Sequence, residues 1–135
     1  MTPVLIADLL DARWLARVGA ILLTCPFWLS GIAKLADLRG AREEARQLGL
    51  RPEWLVVAAT VLVQVGGSAL VISGAMAWLG AGALAVFTAT ATLIAHRFWR
   101  LADAAARLSA RNIFMTNVGL IGGLIVIAIL WSAGT

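Results

Sequence analysis

The sequence predicts an all-α fold: an integral membrane four-helix bundle with short amphipathic interfacial segments. Three observations predict it. The first is composition, since 61% of the 135 residues are hydrophobic and only 13% are charged, with a mean hydropathy of +0.93. A water-soluble chain this short would have to expose much of that apolar surface, and a bilayer removes the difficulty. The second is charge segregation. Sixteen uncharged residues separate Arg17 from Lys34, and no formal charge stands from Trp54 to Ala95 or from Asn112 to Thr135. A spanning helix needs about 20 mainly apolar residues, so the first run makes one span, the middle run two and the last run one. The third is tryptophan. Trp14, Trp54, Trp78, Trp99 and Trp131 fall at or near the span ends, where amphipathic rings prefer the headgroup layer, and Trp28 lies within a span.

Each element follows in order. The opening "MTPVLIADLLDARW" carries acidic residues where a cleaved signal peptide has a basic region, so it does not read as one. Its Val4, Leu5, Leu9 and Leu10 suit a short interfacial helix. Span one runs roughly over 15–36, with Pro26 expected to bend it, a fault that membrane helices tolerate when neighbours re-satisfy the backbone. Residues 38–48 read as an amphipathic segment on the membrane surface, and Pro52 is placed for the first turn of span two, 54–73. "SGAMAWLG" makes a tight hairpin into span three, 78–97. Residues 100–111 read as a second surface segment before span four, 113–132. No linker or repeat divides the chain, so 1–135 is expected to be a single transmembrane domain.

The charges also suggest an orientation. The loops at 37–53 and 98–112 share one side, which carries nine basic residues counted from Lys34 to Arg51 and from Arg97 to Arg111. The opposite side has Arg13 and Arg17. Positive-inside counting therefore puts both long loops in the cytoplasm and both termini outside. A pI near 11.1 fits anionic lipid headgroups as partner. No nucleic-acid partner is expected, because no soluble domain remains to carry a recognition surface. The single cysteine, Cys25, excludes an internal disulfide.

A polar residue inside a span is costly and is a functional candidate by default. Here such residues recur at helical spacing. Span one has Ser30 and Lys34; span two has Thr60, Gln64 and Ser68; span three has Thr88, Thr92 and His96. Span four has Asn112, Thr116, Gly119 and Gly123 along one stripe, with Asn117 beside it. Four stripes facing inward would form a polar seam. The plainer reading is that hydroxyls and glycines let membrane helices approach and hydrogen-bond, and Gly119-xxx-Gly123 is such a packing motif. Gln64 lies ten residues beyond Trp54, about 15 Å into the bilayer, where an amide needs partners. Lys34 serves as an interfacial anchor or as a seam donor. His96 is the one histidine, which excludes a two-histidine haem site. No Cys/His/carboxylate cluster for a metal and no CxxC pair lie within the spans, so no catalytic or metal site is expected. His96 is left as a titratable group at the mouth of the seam, either closing it or moving a proton.

"FWLSGIAKL" (27–35), "QVGGSAL" (64–70), "ATLIAHRFW" (91–99) and "NIFMTNVGLIGGLI" (112–125) come in an order and spacing that resembles the DoxX family of small four-span membrane proteins. The resemblance covers roughly residues 15–130. It places the family's span-one glycine and lysine on Gly31 and Lys34, and its basic residue opening that span on Arg17. Its acidic-then-glycine-pair motif falls on Gln64, Gly66 and Gly67, its histidine on His96 and its asparagine on Asn117. Gln64 stands where Glu is common, so proton carriage there would be lost and hydrogen bonding kept. Thr116 stands where Lys is common. Relatives often put basic residues on the side of the termini, opposite to the count above, so both orientations stay open.

The resemblance implies a membrane subunit linked to quinone-dependent oxidation or to oxidative-stress complexes. The leading expectation is a quinone- or lipid-binding subunit of an oxidoreductase in the bacterial inner membrane. It would have no intrinsic cofactor beyond an implied quinone, would not be a stand-alone enzyme, and would work with other protein subunits or as a homo-oligomer. Lys34, Gln64, His96 and Asn117 would hold the polar head. Arg17, Ser30, Ser68 and Thr92 are secondary candidates, and Gly66, Gly67, Gly119 and Gly123 would pack helices. The rival is a scaffold or assembly factor whose seam is packing alone; a small-solute transporter is the third reading.

Overall fold

The computed structural model describes residues 3–95 and 97–133. Helix α1 (Val4–Asp11) precedes α2 (Arg13–Ala36) and α3 (Leu38–Gln47). Next, α4 (Glu53–Val61) passes through a π-helical stretch, Leu62–Gly66, into α5 (Gly67–Ser73). Helix α6 (Ala77–Ala95), a 3₁₀ turn (Phe98–Arg100) and α7 (Ala104–Ala133) complete the chain, with no strand among the described residues. Four helical stretches are long and apolar enough to cross a membrane: α2, Glu53–Ser73, the stretch starting with α6, and α7. The three charge-free runs therefore hold the four spans, the middle run holding two.

The bundle forms because each span has one inward stripe and otherwise lipid-compatible surface. Ala20, Phe27, Val71, Ala81, Leu84 and Leu124 make the buried core, with Leu23, Val63, Phe87 and Leu120 packed around it. Outward-facing Leu22, Leu62, Val86, Ile129 and Leu130 are exposed by the chain and suit hydrocarbon. The Glu53–Ser73 span packs between α2 and α6, and α7 lies against α6 and more lightly against α2.

The surface elements refine the expectations. Helix α1 has no buried residue, as an interfacial helix should not. Helix α3 starts at Asp37, whose carboxylate accepts from the Gly40 amide at 3.0 Å, satisfying one orphan donor of the first turn. It buries Ala41 and Ala45 against Val57 and turns Arg39, Arg42, Glu43 and Arg46 outward. Glu43 pairs with Arg46. The hydrogen bond from Arg46 holds the Glu43 carboxyl below its ordinary range.

The expectation of a separate surface segment at 100–111 needs correction. From Ala104 the chain is already α7 and runs unbroken into span four. Asp103 caps it, accepting from the Ala106 amide at 2.9 Å. No Gly or Pro interrupts 104–118, so nothing stops the helix where the charges stop. Its 30 residues extend about 45 Å, beyond the hydrocarbon thickness of about 30 Å. The first turns, with Arg107 and Arg111, thus extend beyond the hydrocarbon into the headgroup layer.

Trp131 is the other correction. Trp14, Trp54, Trp78 and Trp99 are exposed, as interfacial rings should be, but Trp131 is buried. Its Nε1 donates to the Val71 carbonyl at 2.7 Å, and the Arg13 guanidinium lies 5.0 Å from its ring centroid. It ties the ends of three spans together. Gly74 ends α5 at φ 80°, and a Cβ there would come within 3.2 Å of the Trp131 ring. The left-handed conformation therefore favours glycine at this turn, and a Cβ would also press on the Trp131 ring.

Candidate functional site

A cavity of about 490 Å³ opens inside the bundle in the half nearest α3. Ser30 and Lys34 come to it from α2, Ala41, Glu44 and Ala45 from α3, and Val57 and Thr60 from α4. Gln64 comes from the π turn, Thr88, Thr90 and Ala91 from α6, and Asn117 and Leu120 from α7. Its size falls in the range of small-molecule sites, and its wall is mainly apolar with a few converging polar groups.

Gln64 is the distinctive group. It is 5% exposed, and its Oε1 is buried without a hydrogen-bond partner. Orphaned buried acceptors are rare, and leaving one costs about 1–3 kcal/mol. It lies at the centre of the π-helical stretch, and single π turns in α-helices often mark functional sites. Ser68 donates to the Gln64 backbone carbonyl at 2.6 Å, tending the main chain and leaving the amide side chain alone.

Close approach of α2 sets the other wall. A Cβ on Gly31 would stand 2.6 Å from Val65 Cγ2 and 3.6 Å from Gln64 Cβ. The missing side chain thus lets α2 come down onto the π turn. Beside Gly31, the half-buried Lys34 donates from Nζ to Ser30 Oγ at 2.6 Å. Side chains on a helix lean toward its N-terminus, so this ammonium reaches inward from the mouth. Across the cavity, Asn117 donates from Nδ2 to Thr92 Oγ1 at 2.9 Å, joining α7 to α6.

The structure therefore brings Lys34, Gln64 and Asn117 to one cavity, with Ser30 beside Lys34 and Thr92 behind Asn117. His96 lies outside the described residues. Arg17 is exposed and does not line the cavity, and Ser68 is buried against its own helix. Asn112 and Thr116 are exposed, so the inward face of span four passes through Asn117. Thr88 and Thr90 line the cavity but donate to the Leu84 and Val86 carbonyls of their own helix, at 2.7 Å and 2.9 Å.

The glycine assignments also need correction. A Cβ on Gly66 or Gly119 would meet no described atom within 4 Å, so neither is a close-approach position within the chain. Gly67 is one, 3.0 Å from Leu84 Cγ, and Gly123 meets Leu23 Cδ1 at 3.1 Å. Sequence reasoning missed Gly80, where a Cβ would stand 2.5 Å from the Gly67 carbonyl oxygen. It also missed the part of α3 in the cavity wall. The alternation of Ala41 and Ala45 at one-turn spacing could have shown a face small enough to pack on a span.

The comparisons with known proteins agree with the fold. The DoxX family model matches residues 14–97, more than half of the chain. The match holds Lys34 and Gln64 and stops short of α7, so Asn117 lies beyond it. No curated protein and no solved structure matches the chain. With four spans and this match, the chain is a multi-pass membrane protein that belongs to the DoxX family.

Proposed function

We propose that this chain is the membrane subunit of an oxidoreductase or oxidative-stress complex in the bacterial inner membrane. Its cavity holds the polar head of a membrane amphiphile, a quinone or a lipid, and it carries no redox cofactor of its own. The observation that supports this reading best is Gln64, a residue of the cavity wall whose side-chain amide carries a buried oxygen with no hydrogen-bond partner. A bundle built only for packing gains nothing from an amide there, since an apolar residue of the same shape would be equally or more stable. A ligand head supplies the missing partner, and the apolar remainder of the wall suits its tail.

Lys34 is placed to donate to an oxygen near the mouth, and Asn117 fixes α7 against α6 so that the cavity keeps its shape. A headgroup-level mouth beside α3 also puts the site within reach of lipids in the leaflet. Electron transfer, in this reading, is the work of a partner subunit, and the chain supplies binding and orientation.

The test is purification in a mild detergent followed by mass spectrometry of extracted quinones and lipids. The expected result is a roughly stoichiometric amphiphile that survives washing. If the extract holds only the lipid mixture of the surrounding membrane, and a partner protein binds all the same, the scaffold reading replaces this one. That reading draws on α7, the least enclosed of the four spans, with 6% of its most apolar window buried.

A further inference from the structure

Resting on the ligand reading above, we infer that the amphiphile is a zwitterionic phospholipid with a phosphoethanolamine head. Its phosphate meets Lys34 of α2 and its ammonium meets Glu44 of α3. The two faces of α3 carry the first part of the argument. Ala41, Glu44, Ala45 and Leu48 line the cavity, a stripe at i, i+3, i+4 and i+7 of a helix. Arg39, Arg42, Glu43 and Arg46 line a separate surface pocket with Glu53. The helix thus turns its arginines away from the cavity and keeps the Glu44 carboxylate on the cavity side.

Lys34 is its counterpart. Among the described residues of the wall, Lys34 is the one cation and Glu44 the one anion. They form no ion pair with each other, and no described residue pairs with the Glu44 carboxylate. Lys34 gives one of its three ammonium hydrogens to Ser30 and keeps the others. The mouth is therefore neutral in sum but bipolar, with both charges open to a head group.

A head with a single charge fits half of this mouth. An anionic glycerophosphate head gains Lys34 but is repelled by Glu44. An uncharged quinone or diacylglycerol makes no charge-assisted contact with Glu44. A phosphoethanolamine head serves both groups, its phosphate accepting from Lys34 and its ammonium donating to Glu44. Glu44 thus acts as the selector, because an unfavourable contact for the wrong head gives as much discrimination as a favourable one for the right head. The acyl chain then lies along Phe27, Val57, Phe87 and Leu120 of the wall.

The experiment uses delipidated full-length protein in mild detergent. The probes are phosphatidylethanolamine, phosphatidylglycerol with the same chains, the matching diacylglycerol and a decyl-chain quinone. Binding that persists in Ala91→Phe, which fills the cavity, is subtracted, so that anionic lipid gathered on the arginine face of α3 does not count. Phosphatidylethanolamine is expected to bind about tenfold more tightly than phosphatidylglycerol, and Glu44→Gln should cut that preference to about twofold or less. Glu44→Lys should reverse it. Glu44 is exposed, so both variants should fold, with melting temperature as the check. Equal affinities, a wild-type preference for phosphatidylglycerol, or a preference that survives Glu44→Gln would overturn this inference and leave the ligand reading standing. Tightest binding of the quinone or the diacylglycerol would do the same. Cavity binding of none of the four would overturn both.

Discussion

Gly80 of α6 lies so close to Gly67 of α5 that a Cβ on Gly80 would stand 2.5 Å from the Gly67 carbonyl oxygen. This contact fixes how near two spans run, and with it the site. Gln64 lies one turn before Gly67, and Thr88 two turns after Gly80, and both line the cavity. Substituting Gly80 by Ala should therefore force backbone apart. The expected cost is about 1–3 kcal/mol, read as a lower melting temperature in detergent. Gly31→Ala should cost less, because the atom it meets is a Val65 methyl that can turn away. Equal effects would show that the spans adjust freely.

The outward glycines should behave differently. A Cβ on Gly119 meets no described atom within 4 Å outside its own helix, so the melting temperature of the isolated chain should hold in Gly119→Leu. A drop of several degrees would place another copy or another subunit against this face of α7. Gly123→Leu should destabilise through its contact with Leu23.

The Trp131 clamp is testable by one atom pair. Trp131→Phe keeps the ring stacked below Arg13 but removes the donor to the Val71 carbonyl. The expected loss is about 0.5–1.5 kcal/mol, whereas an interfacial anchor would show almost none.

Gln64 makes a prediction of opposite sign. In delipidated protein, Gln64→Met removes a buried unpaired acceptor, so the melting temperature should stay level or rise, by up to about 1–3 kcal/mol of stability. Residues kept for function commonly carry such a stability cost. A clear fall in melting temperature would make Gln64 a structural residue.

Topology can be read directly. Nine basic residues flank the cavity-side loops and two flank the other side. A reporter near Arg46 should therefore read cytoplasmic, and one after Thr135 periplasmic. The reverse pattern would turn the cavity mouth to the outer leaflet while leaving the four spans intact.

The spans were legible because charge is expensive in hydrocarbon, so each uncharged run contains the middle of one span or of two. The same rule misplaced the start of α7. Charge reports where the bilayer ends, but a helix ends only where its backbone is stopped, and nothing before Ala104 and Asp103 stops it. Lys34, Gln64 and Asn117 could be picked out as polar groups at helical spacing inside apolar runs. The π turn could not, because "LVQVG" has no residue that demands it. Likewise, Gly80 and Gly119 look alike in sequence. Which of them meets another span depends on helix rotation, and a nearly uniform apolar surface leaves that rotation unmarked. Trp131 misled for a related reason: a ring at a span end can face lipid or the bundle, and only its partners Val71 and Arg13 decide.

The central claim is that this cavity, rather than the lipid-facing surface, holds the amphiphile. Ala91 lines it and is half-buried, so Ala91→Phe would fill the space while leaving Lys34, Gln64 and Asn117 in place. The direct measurement is the amount of quinone or lipid retained per protein after extensive detergent washing, compared between the wild type and Ala91→Phe. With melting temperature unchanged or higher, retention should fall at least about fivefold. Equal retention by the filled variant, at equal stability, would contradict the claim.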